Sequence, residues 1–237
     1  DGKIRIGIAD NRIIYALSLF LVGIGRELVE HSLQKIDSGC HSRDIAVRVG
    51  IVTQQLQRLR AVLRALNELH DTGLSRDRLC EMGLKLGADV PYCLIGGTML
   101  AEGIGEKLTE LSPMQPCYVV LCKPPFAVST KEVYQEIDSV PLTQRPDTDG
   151  MIKALESCDY KGVCDRLMNV METVTATKRR QIGEIRAVLR ENGADATLMS
   201  GSGPTVYGLF SERIAADAAA TVLASRFSET FLTETVQ

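Results

Sequence analysis

The chain has no tryptophan, and aromatic residues make up only 5% of its 237 positions. Proteins that hold nucleic-acid strands stack bases on exposed rings and line the groove with Lys and Arg. Here 27 Lys and Arg are outweighed by 30 Asp and Glu, giving a net charge of −3. With neither rings nor a positive field, no nucleic-acid partner is expected. Histidine is scarce as well: His31, His41 and His70 lie far apart, and none stands at ligand spacing from another His or a Cys. No transition-metal site is expected. The seven cysteines are odd in number and include no Cys-x-x-Cys pair. They read as reduced, mostly buried thiols of a cytoplasmic protein.

A membrane-spanning run is also missing. The longest apolar stretch, Ile13 to Ile24, is interrupted by Ser18 and Gly23. It is too short to cross a bilayer, and no small-x-small cleavage site follows it. It therefore reads as a buried helix. There is no initiator Met, so the N-terminus is expected to be trimmed or missing. What the chain does have is apolar content of 45%, enough for one large or two small cored domains.

Ile4, Ile6 and Ile8 alternate with Arg5 and Gly7, which predicts an opening strand. Ile13 to Leu33 follows as one or two helices. Leu56, Leu59, Leu63 and Leu66 share a helical face that runs to about His70 and stops at Gly73. Ser75 opens another helix, with Leu79, Met82 and Leu86 expected inward. Tyr92–Leu94 and Thr98–Glu102 flank Gly96-Gly97 and predict a hairpin. The step Ser112-Pro113-Met114-Gln115-Pro116 reads as a connection between an N-terminal domain, 1–113, and a C-terminal domain, 114–237.

In the second half, Cys117–Cys122 is expected as a strand and 140–149 as a loop. Helices are expected over Met151–Cys158, Cys164–Met171 and Ala176–Asn192, the last capped by Gly193. Strands Ala196–Met199 and Thr205–Phe210, a helix from Glu212 to Phe227 and a strand from Thr230 to Val236 complete the pattern. The fold class is α+β, with antiparallel sheets and helices packed on one face.

Two clusters could carry chemistry. In Leu86-Gly87-Ala88-Asp89-Val90-Pro91 an acid sits between a small-residue turn and a proline, with Gly96-Gly97-Thr98 close behind. That is a way to hold a carboxylate still beside a charged ligand. In Met199-Ser200-Gly201-Ser202-Gly203-Pro204-Thr205 the glycines allow backbone amides to approach a phosphate or another anion. A plain hairpin loop needing positive φ explains the second cluster equally well. Gly103-Ile104-Gly105-Glu106-Lys107-Leu108 begins like a dinucleotide fingerprint but has Leu at the third glycine, and no Gly-Lys-Ser/Thr occurs anywhere. Rossmann and P-loop readings are thereby excluded.

Taken together, Gly87-Ala88-Asp89-Val90-Pro91, Gly96-Gly97-Thr98, Ala101–Leu108 and Ser200–Phe210 resemble the GHMP small-molecule kinases. The resemblance runs from about Val62 through Phe210. Within the family it points to the branch that phosphorylates a cytidine-diphosphate-linked methylerythritol. It implies a GHMP-kinase-like two-domain architecture with ATP and Mg2+ as cofactors. The implied reaction moves the ATP γ-phosphoryl group to the substrate's 2-hydroxyl, a step toward isoprenoid precursors. The implied partner is a small molecule, with no membrane involved.

By the motif it occupies, Asp89 matches the family's catalytic aspartate, which orients the acceptor hydroxyl and takes its proton late. Gly201, Ser202 and Gly203 match the third glycine motif of the active-site cleft. Ser129–Tyr134 resembles the segment that holds the cytidine, making Tyr134 a stacking ring and Thr130 a hydrogen-bond partner. On residues alone, Asp89 also reads as a helix-terminal acid and Tyr134 as a packing aromatic. A homoserine- or mevalonate-type kinase and a non-catalytic relative are the other readings.

Two family signatures have no counterpart in the first sixty residues. Gly2-Lys3-Ile4-Arg5 stands where a Pro-Ala-Lys-x-Asn segment belongs, and Gln54–Arg60 stands where a glycine-rich phosphate loop belongs. The first domain is expected to be incomplete or aberrant.

Overall fold

The computed structural model describes residues 13–14, 61–87, 90–103, 105, 107–137, 139 and 145–235. The strand expected at Ile4–Ile8, the helical pattern from 15 to 33 and Asp89 lie outside the described residues. The chain divides into two compact units, one running from Asn11 to Pro113 and the other containing Met114–Gln237.

In the first unit, strand β1 (Ile13–Ile14) pairs antiparallel with β2 (Met99–Glu102), Ile13 opposite Ala101. The helix expected at Ile13 is thus a strand at these two positions. β2 in turn pairs with β3 (Lys107–Glu110) through a turn in which Gly103 and Gly105 both take positive φ, 73° and 111°. Helix α1 covers 61–69. Asn67 ties its end to the following loop, its Oδ1 accepting from the Leu74 amide at 2.9 Å and the Thr72 hydroxyl at 2.6 Å.

Helix α2 (Arg76–Leu84) starts where Ser75 accepts from the Arg78 amide at 3.2 Å, as its sequence position predicts. Its inner face differs from the expected one. Leu79 is buried, but Met82 and Leu86 are 37% and 55% exposed, because the next inward position is Gly83. A Cβ there would lie 2.8 Å from Val90 Cγ1, so the missing side chain lets α3 (Val90–Ile95) approach. Leu79, Val90 and Leu94 form the core between them, flanked by Leu63, Leu74 and Cys80.

Helix α3 replaces the expected strand Tyr92–Leu94. Its residues Val90 to Leu94 are all buried, and a short run buried all round has no period by which helix and strand can be told apart. The hairpin consequently falls one motif later, between β2 and β3.

In the second unit, β4 (Tyr118–Lys123) lies between β6 (Val206–Phe210) and β7 (Glu229–Glu234), and β5 (Ala196–Met199) completes the order β5-β6-β4-β7. All pairings are antiparallel, with Val120 opposite both Gly208 and Leu232. Val120, Cys122, Val206 and Phe210 meet Ile182, Ile185 and Leu189 of α8 (Arg180–Glu191) and Ala216, Ala219 and Leu223 of α9 (Arg213–Ala224). The small alanines let α9 lie close to the sheet. At the edge of this unit Cys117 donates its amide to Thr235 Oγ1 at 2.8 Å, and Thr235 returns its own amide to the Cys117 carbonyl at 2.9 Å.

The remaining helices are α4 (Thr130–Ile137), α5 (Thr148–Glu156), α6 (Tyr160–Arg166) and α7 (Glu172–Lys178). Asp147 caps α5 through the Gly150 amide at 3.0 Å, and Asp159 caps α6 through the Gly162 amide at 2.9 Å. A Cβ on Gly162 would come within 2.2 Å of Asp159 Oδ2, so glycine keeps this cap tight. The caps place α6 four residues ahead of the expected Cys164–Met171. The expected single helix Ala176–Asn192 is broken at Arg179, which takes φ −131° and sets its guanidinium 5.4 Å from the Phe126 ring.

Candidate functional site

Strand β5 ends at Met199 and β6 begins at Val206; the turn between them returns the chain through two internal bonds. The Ser200 amide donates to Thr205 O at 2.8 Å, and the Gly203 amide to Ser200 O at 2.9 Å. Gly201 and Gly203 take φ of 54° and 89°, and the Gly203–Pro204 bond is cis. Space decides the second glycine as well as conformation. A Cβ on Gly203 would stand 2.6 Å from Met199 Sδ and 3.3 Å from Thr175 Cγ2.

The turn is held from behind by the segment that links α6 to α7. Asn169 Nδ2 donates to Met199 O at 2.7 Å and to Gly201 O at 2.8 Å, while its Oδ1 accepts from the Met171 amide at 3.0 Å. Thr175 Oγ1 donates to Ser202 O at 3.2 Å. Glu172, buried, accepts from the Met199 amide at 3.0 Å and pairs its other oxygen with the Arg186 guanidinium. Arg186 also donates to the hydroxyl and carbonyl of Thr197, at 3.2 and 3.3 Å. Burial lowers the Arg186 pKa, and nearby Arg190 adds to the effect. A charge withdrawn from water at this depth persists because its partner is charged and hydrogen-bonded too.

In front of the turn stands α4. Thr130 Oγ1 lies 2.9 Å from Ser202 Oγ, closing a gap of 72 residues. Tyr134 follows at i+4, on the same side of the helix, and is half-buried. Val133 and Ile137, beside them on the same face of the helix, pack against Val174. The glycine turn, Thr130 and the face bearing Tyr134 therefore form one neighbourhood, while Asp89 lies outside the described residues.

Motif reading missed Asn169, Glu172 and Thr175. Their three-residue spacing, from the end of one expected helix into the gap before the next, was the only signal.

The arrangement offers hydroxyls and backbone amides, which bind and orient oxygen atoms. The turn 199–205 carries no titratable side chain. Among the described residues no group of three or more His, Cys, Asp or Glu is placed to hold a metal ion.

Residues 151–229 match the family "GHMP kinases C terminal". A 4-diphosphocytidyl-2-C-methyl-D-erythritol kinase of Clostridium novyi is 44% identical over 174 residues, covering 73% of this chain and 62% of the relative. One from Geobacillus kaustophilus is 48% identical over 149 residues, covering 63% and 51%. A crystal structure of 4-(cytidine 5'-diphospho)-2C-methyl-D-erythritol kinase superposes with a TM-score of 0.62 at 28% identity, over 74% of this chain and 62% of that one. Homoserine kinase from Cytophaga hutchinsonii shares the fold, with a TM-score of 0.58 at 17% identity over 75% and 62%. The chain thus spans 62% and 51% of the length of these two sequence relatives.

Proposed function

Because this chain carries the GHMP kinase C-terminal domain and the GHMP kinase fold, we propose that it transfers the γ-phosphoryl group of ATP to the 2-hydroxyl of 4-diphosphocytidyl-2-C-methyl-D-erythritol. One observation carries the reading. The Thr130–Ser202 hydrogen bond joins the two segments that the family resemblance assigns, separately, to the cytidine and to the active-site glycine turn. The names of the relatives support the same substrate. In this reading 1–113 is the N-terminal kinase domain, 114–237 the C-terminal one, and the setting is the cytoplasm.

ATP supplies the group that is transferred. The turn suits an anionic oxygen, since its left-handed glycines leave no Cβ in the way of a ligand that approaches the backbone. Among the described residues no carboxylate cluster is placed to hold Mg2+.

The chain's own groups act by position and charge. Gly201, Ser202 and Gly203 seat the ligand, Thr130 hydrogen-bonds the cytidine side and Tyr134 offers its ring to the base. Asp89 orients the acceptor hydroxyl and removes its proton as the new bond to phosphorus forms.

An ADP-release assay with 4-diphosphocytidyl-2-C-methyl-D-erythritol tests this. The wild-type chain turns over, and Asp89→Asn loses about 10²–10⁴-fold in kcat. Thr130→Val raises KM for the cytidylyl substrate and leaves kcat nearly unchanged, as expected for an interaction made equally in ground and transition states. Absence of turnover by the folded wild-type chain, or equal activity with homoserine or mevalonate, refutes the proposal.

A further inference from the structure

We infer that Asn169 is a positioning residue that aims the Ser202 backbone amide at an anionic oxygen of the bound nucleotide diphosphate, an inference that rests on the reading above. The argument starts from the capacity of a carboxamide. It has two N–H donors on nitrogen and an acceptor oxygen. In Asn169 all are engaged: the donors hold Met199 O and Gly201 O, and the oxygen takes the Met171 amide. The bond from Met171 fixes which end of the side chain is which.

A trans peptide is planar, with its carbonyl and N–H pointing opposite ways. Gly201 O is drawn back to Asn169 Nδ2, so the N–H of the same peptide, that of Ser202, is directed forward. The Ser202 carbonyl is drawn back in turn by Thr175 Oγ1. Three carbonyls of the turn, from Met199, Gly201 and Ser202, are thereby held by the stretch from 169 to 175. The Ser200 and Gly203 amides donate within the turn, while the Ser202 amide is aimed outward beside its own hydroxyl and that of Thr130. A forward amide flanked by two hydroxyls, on a turn whose carbonyls face back, presents a positive surface suited to a phosphate oxygen.

The side chain must be Asn for this. Asp has the same shape but would set carboxylate oxygens against two carbonyl oxygens, repelling the peptide it should hold. Ala would leave the Gly201–Ser202 peptide without its tether.

The diphosphate could belong to either nucleotide, so 15N-labelled full-length chain is titrated separately with ADP and with CDP while the Ser202 amide resonance is followed. In the wild type one or both shift the resonance, and the arm that responds identifies the source. In Asn169→Ala and Asn169→Asp, with the Leu223 amide unmoved as a check on the fold, the shift is lost or the apparent Kd rises about tenfold, a change of about 1.4 kcal/mol.

A wild-type resonance that responds to neither nucleotide overturns the inference, as does a full shift in the folded variants. Should both variants fail to fold, Thr175→Val removes only the bond to Ser202 O and must weaken the same response; an unchanged response overturns it. The titration does not depend on phosphoryl transfer. A normal titration with no turnover therefore defeats the kinase reading alone.

Discussion

Two glycines in one turn illustrate different demands on a single residue. Gly201 has positive φ but nothing within 4 Å of where a Cβ would stand, whereas Gly203 has positive φ and Met199 Sδ at 2.6 Å. Gly201→Ala is therefore expected to cost about 1–2 kcal/mol, the penalty of the left-handed region alone. Gly203→Ala adds a displaced Met199 and costs about 3 kcal/mol or more. Urea midpoints of the two variants measure the difference. Glu172→Gln, which keeps the shape but removes the charge opposite Arg186, should lower stability by about 2–3 kcal/mol. The glycines were legible in the sequence because a conformation reserved for Gly leaves a mark wherever it occurs. Asn169 and Glu172 were not. The carbonyls and the amide by which they hold β5 and the turn lie 27 to 32 residues away, and only the finished fold brings them together.

At the scale of elements, the sequence reading did best where burial alternates or where a cap is written in one residue. β5 has the bounds expected of it, and Ser75 starts α2 as predicted. It failed at the short, fully buried run of α3, and where a side-chain contact decides the break, as at Arg179 over Phe126. The α2–α3 contact yields a test. Gly83→Ala places a methyl 2.8 Å from Val90 Cγ1 and 3.0 Å from Leu94 Cδ1, both on α3. The expected loss is about 1–3 kcal/mol. Amide exchange should speed up over 76–95 while the sheet β5-β6-β4-β7 keeps its protection.

For the molecule as a whole, the buried thiols set a limit at alkaline pH. Burial, ahead of neighbouring charges, pushes Cys117 up to about 12 and Cys122 and Cys164 up to about 11, from an ordinary value of 9.0. Between those values the unfolded chain gives up protons that the folded chain retains, so each rise in pH favours unfolding. The stability these groups provide is complete below pH 9.0 and is lost as pH climbs through 11 to 12. Denaturant midpoints should fall over that range, and less steeply in Cys122→Ala. Among the described cysteines, a maleimide at neutral pH should reach the exposed Cys158 first and the four buried thiols, Cys93, Cys117, Cys122 and Cys164, only upon unfolding.

The paired bonds between Cys117 and Thr235 have a consequence of another kind. They hold the first and last strands' outer ends side by side, so the path through the second unit is close to a closed ring. Its elements could be strung in a different order, with a short bridge across 117 and 235 and new ends opened at the exposed Gly193, and the same sheet should still assemble.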